Sequence, residues 1–189
     1  MSLLLLKAKN NLIKELQKKI EIGIGIKQDM SENPVKVIYL GIGSNLGNRK
    51  KNIEMTKFKL VANNVEIIKT SSYYESLSWP NQNNPKFINI IVKVKTRYTP
   101  LELIQKCQNI EKEMGRKKSP KNSPRVCDID IIDYKNKEIN RGLILPHPRM
   151  HTRNFVLLPL FEIDKDWKHP VLKHNIKKLI LSLSNSDIR

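Results

Sequence analysis

The sequence predicts an α+β fold, an antiparallel sheet in βαββαβ order with helices packed on one of its faces. Two observations predict it. Four apolar segments have the pattern of strands. One helical pattern lies between the first and second of these segments, and another lies between the third and fourth. The third segment alternates well, with Ile88, Ile90, Val92 and Val94 on one side. This order is that of a split βαβ arrangement.

The second helical pattern has the clearest boundaries. Thr99 is its N-cap, Pro100 its first helical residue and Glu102 the partner in a capping box, and Gly115 ends it. The Gly-rich segment 41–48 lacks the ending of a phosphate-binding loop, so it is interpreted as a tight strand-to-helix turn. The predicted elements are a strand at 35–40, that turn, a helix at 49–62, strands at 65–74 and 87–96, the capped helix, a strand at 128–134, a hairpin turn at 135–137 into 138–140, and helices at 152–162 and 175–184.

Residues 1–34 are predicted to be an N-terminal extension, and residues 35–189 a compact domain. Apolar residues recur at near-helical spacing in the extension, which predicts an amphipathic helix that docks on the domain or self-associates. The start of the chain does not resemble a signal peptide, and no apolar run is long enough for a membrane span. Cys107 and Cys127 are too few for a disulfide scaffold. We therefore expect a soluble, cytoplasmic protein with free thiols.

The chain carries a strong positive charge. Lysine and arginine total 35 against 18 aspartate and glutamate residues, which gives a formal net charge of +17. Such an excess attracts polyanions: nucleic acid, an acidic membrane surface or a nucleoside triphosphate. Because lysine is abundant along the whole chain, the charge alone is equally compatible with a generally basic soluble protein.

Two acidic residues interrupt an otherwise apolar strand. Asp128 and Asp130 are two apart, so both carboxylates project from one face of the strand, whereas Cys127, Ile129 and Ile131 face the core. Adjacent carboxylates repel each other, and a divalent cation relieves that repulsion. Aspartate is depleted in strands, which favours a Mg²⁺ site for phosphoryl transfer over a pair that simply faces solvent.

Basic residues flank this acid pair on both sides along the chain. Phosphoryl transfer requires positive groups around a polyphosphate, and arginine binds phosphate through two donors at once. Gln108 and Glu111 share a helical face, where they could hold a nucleotide or an arginine, or be ordinary surface residues. The flanking basic residues are Arg116, Lys117, Lys118, Lys121 and Arg125 before the strand, and His147, Arg149, His151 and Arg153 after it.

Five segments together resemble a known enzyme family. Segments 39–47, 87–89, 115–116, 124–131 and 145–150 occur in the order and at the approximate spacing of 6-hydroxymethyl-7,8-dihydropterin pyrophosphokinase. The resemblance covers most of the chain, and the combination is far more specific than any one motif. It implies a ferredoxin-like α/β sandwich whose catalytic domain moves the pyrophosphoryl group of ATP to the hydroxymethyl oxygen of a reduced pterin, giving AMP, on the route to folate.

The resemblance also implies the site. Asp128 and Asp130 would bind two Mg²⁺ ions, with ATP as co-substrate, and it stays open whether Asp130 also takes the hydroxyl proton. Catalysis is assigned to these two residues with Arg116 and Arg125. The other nucleotide contacts are Gln108, Glu111, Ile131, His147 and Arg153. The pterin contacts are Asn89 on the polar edge of the ring, Phe87 and Phe155 on its faces, and Ser76, Leu77 and Trp79 from a loop.

Two positions depart from the family pattern, and two other interpretations compete with it. Asn122 stands where many members have Trp, and Ile144 where some have a hydroxyl residue. The element order and charge would also suit an RNA-recognition module, but the strand after Phe87 is aliphatic instead of aromatic. A non-catalytic relative is disfavoured by the intact acid pair and arginines. We expect small-molecule substrates and no nucleic-acid or membrane partner; the oligomeric state is not predicted.

Overall fold

The computed structural model describes residues 36–116, 120 and 122–183. The predicted helix within 1–34 and the predicted basic residues Lys117, Lys118 and Lys121 lie outside this range. Among the described helices, none is both long and apolar enough to cross a membrane. The elements are strands β1 (Lys36–Ser44), β2 (Glu66–Thr70), β3 (Tyr74–Ser76), β4 (Phe87–Thr96), β5 (Asp128–Tyr134), β6 (Ile139–Arg141) and β7 (Leu143–Leu145), helices α1 (Arg49–Ala62), α2 (Pro100–Glu113), α3 (Asn154–Ile163) and α4 (Ile176–Leu181), and a 3₁₀ turn (Met150–Thr152).

The main sheet has the strand order β2-β4-β1-β5, and each neighbouring pair is antiparallel. The short strand β3 pairs with the first residues of β4. β1 is central, because it pairs with β4 along one side and with β5 along the other. The elements β1, α1, β2, β4, α2 and β5 form the predicted βαββαβ core, which confirms the α+β fold.

One face of the sheet is covered by α1 and α2. Ile53 and Leu60 of α1 and Leu103, Cys107 and Ile110 of α2 are buried against it. Each fully buried aliphatic side chain of this size stabilises the fold by about 1.5–3 kcal/mol. The strand residues in this core are Ile38, Leu40, Ile42, Ile88, Ile90, Val92, Val94, Ile129, Ile131, Tyr134 and Leu145.

Helices α3 and α4 follow the βαββαβ core and cover part of the opposite face, a layer that the sequence did not predict. Tyr39, Ile91 and Ile132 pack there in a second core with residues of both helices. Further along the same strands, this face carries glycine and polar residues that line a cavity. Because each strand contributes only a short apolar stretch to the second core, the sequence pattern did not reveal it. The helical residues of this core are Val156, Leu157, Leu160, Ile163, Ile176 and Leu179.

The strand predicted at 65–74 is divided into β2 and β3 by Ser71. Its hydroxyl oxygen accepts a hydrogen bond from the backbone N–H of Ile91 at 3.0 Å, and its own N–H donates to the carbonyl oxygen of Ile91 at 2.9 Å. The side chain thus replaces a backbone partner in the ladder. The next residue, Ser72, is bound by the Glu162 carboxylate of α3 through both its N–H and its hydroxyl. These contacts turn the chain out of the sheet before β3 begins.

Two further boundaries differ from the prediction. The turn at Lys135 and Asn136 exists, with φ of 53° at both residues, but β6 does not return along β5. β6 pairs instead with β7 around Gly142, which has a φ of 74°. The predicted Gly-rich turn at 41–48 begins later than expected, because β1 continues to Ser44. The helices predicted at 152–162 and 175–184 are confirmed as α3 and α4 with slightly different ends.

The capping box of α2 gives a direct test of local stability. The Thr99 hydroxyl accepts the Glu102 N–H at 3.3 Å, and the Glu102 carboxylate accepts the Thr99 N–H at 2.7 Å. We expect Thr99→Ala to lower the free energy of unfolding by about 1 kcal/mol, measured by urea denaturation. Thr99→Ser keeps the hydroxyl and should lose much less. Equal losses in the two variants would contradict this role of the cap.

Candidate active site

On the face of the sheet opposite α1 and α2, the glycine and polar residues beyond the second core form the floor of a cleft. The cavity volume of this cleft is about 1120 Å³. Its walls come from loop 77–86, from α2 beside the edge strand β5, and from the segment 147–156. The side chain of Ile131 lies in the core with α1 and α2, on the opposite face of β5, and does not line the cavity. All other residues predicted for the site line it: Ser76, Leu77, Trp79, Phe87, Asn89, Gln108, Glu111, Arg116, Arg125, Asp128, Asp130, His147, Arg153 and Phe155.

The acid pair projects into the cleft as its alternation on β5 predicted. Asp128 Oδ1 accepts hydrogen bonds from Arg116 Nη1 at 3.1 Å and from Arg125 Nη1 at 3.0 Å. Burial raises the pKa of Asp128, and the charge of Asp130 raises it further, while the two arginines act in the opposite direction. Burial also raises the pKa of Asp130 against the charges of Arg153 and other nearby arginines. Two such carboxylates favour a cationic ligand.

Glu111 is buried and holds the strand and the arginine next to the acid pair in place. Its Oε1 accepts the backbone N–H of Ile129 at 2.8 Å, between the two aspartates on β5. The same oxygen lies 2.5 Å from Arg116 Nη1, which in turn contacts Asp128. Burial raises the pKa of Glu111 despite the bond from Ile129 and the charge of Arg116. Glu111 therefore fixes Arg116 and the start of β5; a nucleotide contact for it stays a prediction.

Asn89 is held in one orientation on the cleft floor. Its Nδ2 donates to Ser76 Oγ at 2.9 Å, so Ser76 acts through Asn89 as well as lining the cavity itself. The amide oxygen is directed to the other side, toward Gly43 of β1. An oriented amide beside the ring of Phe87 is suited to a flat heteroaromatic ligand whose edge carries hydrogen-bonding groups.

The two loops that border the cleft are tied together by Asn45. This buried side chain donates through Nδ2 to Ser78 Oγ at 3.2 Å and to the carbonyl oxygen of Pro85 at 3.0 Å. Its Oδ1 accepts the backbone N–H of Arg125 at 2.7 Å. The base of loop 77–86 is thus fixed to the segment that carries Arg125, whereas Trp79 at the loop tip is 67% exposed.

Arginine side chains lie against the aromatic residues of the cleft. A guanidinium group beside an aromatic ring is available for both a flat ligand and an anion. Arg125 Nε is a buried donor without a hydrogen-bond partner among the described residues. A buried donor of this kind is unfavourable unless an acceptor is supplied. Guanidinium carbon to ring centroid distances are 5.5 Å for Arg149 and Trp79, 5.4 Å for Arg153 and Phe155, and 5.8 Å for Arg125 and Phe87.

The surroundings of His147 favour the neutral imidazole, and its predicted role around ATP stays a prediction. Burial lowers the pKa of His147 to about 4, and the charges of Arg153 and Arg149 lower it further. Its Nδ1 accepts the backbone N–H of Arg149 at 3.2 Å, and the backbone N–H of His147 donates to the carbonyl oxygen of Ile132 at 2.9 Å. His151, which follows in the same basic segment, does not line the cavity and lies against His169 instead.

Two features of the cleft were assigned no role from the sequence. Arg149 was noted only as a member of a basic segment, and Gly43 only as part of a turn. The signal for Gly43 was present, because Gly41 and Gly43 are two apart like the aspartates and so share a strand face. Asn122, where the sequence departs from the family pattern, also lines the cavity, with a φ of 66°.

A cleft that places two carboxylates among several arginines contains the groups that phosphoryl transferases use, acids for metal ions and cations for phosphate oxygens. The profile of the family described as "7,8-dihydro-6-hydroxymethylpterin-pyrophosphokinase (HPPK)" matches residues 39–165. The chain is 39% identical over 142 residues to the 2-amino-4-hydroxy-6-hydroxymethyldihydropteridine pyrophosphokinase of Aquifex aeolicus, covering 75% of this chain and 88% of the relative. The chain belongs to the HPPK family.

Other relatives are much longer proteins. The chain is 40% identical over 162 residues to a folic acid synthesis protein of Pneumocystis carinii, covering 84% of this chain but 22% of the relative. A crystal structure of Plasmodium falciparum HPPK-DHPS is similar with a TM-score of 0.62 and 19% identity, over 79% of this chain and 41% of that one. At this identity the structural match supports the fold alone. The chain thus spans about a fifth to two fifths of these two relatives.

Proposed function

We propose that this chain transfers the pyrophosphoryl group of ATP to the hydroxyl of 6-hydroxymethyl-7,8-dihydropterin, giving AMP and the pterin diphosphate, in folate biosynthesis in the cytoplasm. The support is membership of the family together with the composition of the cleft. ATP is a co-substrate in this proposal. The RNA-recognition alternative has no support from the family match.

One observation carries the proposal: the two halves of the site flank a single residue of the central strand. In the sheet register, Gly43 of β1 pairs with Asn89 of β4 on one side and with Asp128 of β5 on the other. Paired residues in neighbouring strands point to the same face and lie about 5 Å apart at Cβ. The amide that suits the pterin edge is therefore separated from the acid pair by about the width of two strands, which suits a hydroxymethyl group that reaches from ring to phosphate.

The acid pair fits Mg²⁺ by its donor set. Its two oxygen-donor side chains are adjacent and have raised pKa values. No group of three or more His, Cys, Asp or Glu suited to hold a metal occurs in the described part of the chain. Mg²⁺ typically takes one or two protein carboxylates and completes its shell with water and phosphate oxygens. We assign Asp128 and Asp130 to hold two Mg²⁺ ions, which when bound would neutralise charge on the polyphosphate.

The chain's own residues would position the reactants and stabilise charge. Phe87 and Phe155 would stack on the pterin while Asn89 bonds its polar edge, so that the hydroxyl oxygen attacks the β-phosphorus of ATP in line. The bond between the β-phosphorus and the oxygen that joins it to the α-phosphorus breaks, and AMP leaves with that oxygen and the electron pair. Arg116 and Arg125 would stabilise the negative charge on the phosphoryl oxygens.

The proton of the attacking hydroxyl needs an acceptor near the acid pair. Among the described residues no side chain donates a hydrogen bond to Asp130, whereas Asp128 accepts hydrogen bonds from two arginines. Asp130 is therefore the better placed of the two to accept the proton, either directly or through water.

The wild-type chain should form AMP from ATP only when the pterin and Mg²⁺ are both present. Purified protein is incubated with ATP, Mg²⁺ and 6-hydroxymethyl-7,8-dihydropterin, and the nucleotides are separated by chromatography. EDTA in excess over Mg²⁺ should abolish AMP formation, and omission of the pterin should do the same. Formation of ADP in place of AMP, or full activity in EDTA, would contradict the proposal.

A further inference from the structure

The centre of the cleft floor is a glycine that the reaction described above does not use. Gly43 lies in the regular part of β1, where it pairs with Asn89 and Asp128, and it does not occupy a turn. Glycine inside a strand weakens the strand and often marks a place where another group approaches the backbone closely. A structural need for positive φ does not explain it, since Gly47, Gly115 and Gly142 are the glycines with positive φ in the described part of the chain.

We propose that Gly43 is a positioning residue for the pterin, because the absence of its side chain lets Asn89 and Phe87 hold their ligand-binding positions. A Cβ atom at Gly43 would lie 2.9 Å from Asn89 Oδ1 and 3.4 Å from Phe87 Cδ1. The first distance is shorter than carbon and oxygen tolerate, and the second is an ordinary van der Waals contact. The three atoms nearest to this position all belong to Asn89 and Phe87, the two residues assigned to the pterin.

Asn89 cannot move away from a methyl group without losing a contact. Its Nδ2 bond to Ser76 Oγ at 2.9 Å holds the amide plane, and its backbone pairs with Tyr74 of β3 and with Gly43 itself. A shift of the amide oxygen would lengthen the bond to Ser76 or turn the oxygen from its present direction. Either change misplaces the group that is to read the polar edge of the ring, and a mispaired polar edge strongly reduces binding.

Gly41 provides a matched comparison on the same strand face. A Cβ there would meet Ile132 Cδ1 at 3.2 Å, Ile132 Cγ1 at 3.4 Å and Ile91 Cδ1 at 3.5 Å, all atoms of two buried side chains of the second core. A methyl group at Gly41 therefore disturbs apolar packing, and neither isoleucine is assigned to the pterin. The two glycines thus differ in what the added methyl group displaces, although both changes add one carbon to β1.

The test compares Gly43→Ala with Gly41→Ala in the full chain, and it rests on the proposed function. We expect Gly43→Ala to raise the KM for the pterin at least about tenfold while the KM for ATP changes by less than about twofold, and we expect Gly41→Ala to raise the pterin KM much less. A pterin KM unchanged in Gly43→Ala, or an equal rise in both KM values, would overturn the inference. Absence of AMP formation by the wild type would instead overturn the proposed function.

A double-mutant cycle distinguishes the contact with Asn89 from a general disturbance of the strand. In an Asn89→Ala background the amide that the methyl group would displace is gone, so adding Gly43→Ala should change the pterin KM by less than about threefold. The double variant lacks the close contact between the added methyl group and Asn89, so it can still be assayed if Gly43→Ala alone folds poorly. Thermal unfolding of each variant shows whether it is folded. A second tenfold rise in the Asn89→Ala background would overturn the role assigned to Gly43.

Discussion

Asp130→Asn should lower the rate of AMP formation by at least about 1000-fold, because it removes one of the two carboxylates assigned to the metal ions and the best-placed proton acceptor. The substitution keeps the size of the side chain. Burial raises the pKa of the Asp130 carboxyl, which means that the charged form is unfavourable in the folded protein. Because the substitution removes this charge, the variant should be as stable as the wild type or slightly more stable. Initial rates at saturating ATP and pterin, with thermal unfolding of the same samples, measure both effects.

Asp128→Asn should be equally inactive but should differ in stability. Asp128 accepts hydrogen bonds from Arg116 and Arg125, and its amide replacement leaves both guanidinium groups with a weaker acceptor. Near-wild-type turnover in either variant would refute the assignment of the acid pair to metal binding.

Asp133→Asn is the matched control on the same strand. Asp133 is buried, accepts Trp167 Nε1 at 2.8 Å and does not line the cavity. This variant should lose stability while the rate per folded molecule stays within about twofold of the wild type. If Asp133→Asn were equally inactive, loss of any carboxylate from β5 would be sufficient to abolish activity. That result would contradict the specific role assigned to Asp128 and Asp130.

Arg125→Ala should reduce kcat/KM for ATP by about 100-fold or more. Arg125 Nη1 contacts Asp128, which positions the guanidinium group beside the acid pair. Its buried Nε has no hydrogen-bond partner among the described residues, so this donor is available to a phosphate oxygen. Arg125→Lys restores the charge without the planar group and should recover only part of the loss.

The exposed Arg141 of β6 provides the control for charge alone. It does not line the cavity, so Arg141→Ala should leave kcat/KM for ATP within about twofold of the wild type at moderate salt. Equal losses in Arg125→Ala and Arg141→Ala would show that ATP responds to the overall positive charge of the protein. That result would remove the argument for a specific phosphate contact at Arg125.

The parts of the fold that follow a local rule could be predicted from the sequence. The period of two on β5 placed Asp128 and Asp130 together on one face, and the capping signals around Thr99 placed the start of α2. Both depend on residues close together in the chain, so a pattern read along the sequence is sufficient. The same holds for the alternation of β4.

The parts that depend on distant residues could not be predicted in this way. Ser71 ends β2 because its hydroxyl meets Ile91, and Ser72 is bound by Glu162, which is 90 residues away along the chain. The second helical layer was missed because its core uses single residues such as Tyr39 and Ile132 from strands whose other positions face the cleft. Neither contact leaves a periodic signal.

The chemistry of the site shows the same limit. His147 was taken as a cation by residue type, but burial beside two arginines lowers its pKa to about 4. Glu111 was assigned to the nucleotide from its helical spacing, and the structure shows its carboxylate bound to the Ile129 N–H and Arg116. Residue type and spacing therefore located the cleft, while the protonation state and the partners of its residues required the three-dimensional arrangement.

The most direct test of the central claim follows the β-phosphate of ATP. The chain is incubated with Mg²⁺, 6-hydroxymethyl-7,8-dihydropterin and ATP labelled either at the β- or at the γ-phosphorus, and the pterin product is isolated. Transfer of an intact pyrophosphoryl group predicts that both labels enter the product in equal amounts and that unlabelled AMP remains. A product that carries only the γ-label, with the β-label retained in ADP, would contradict the account.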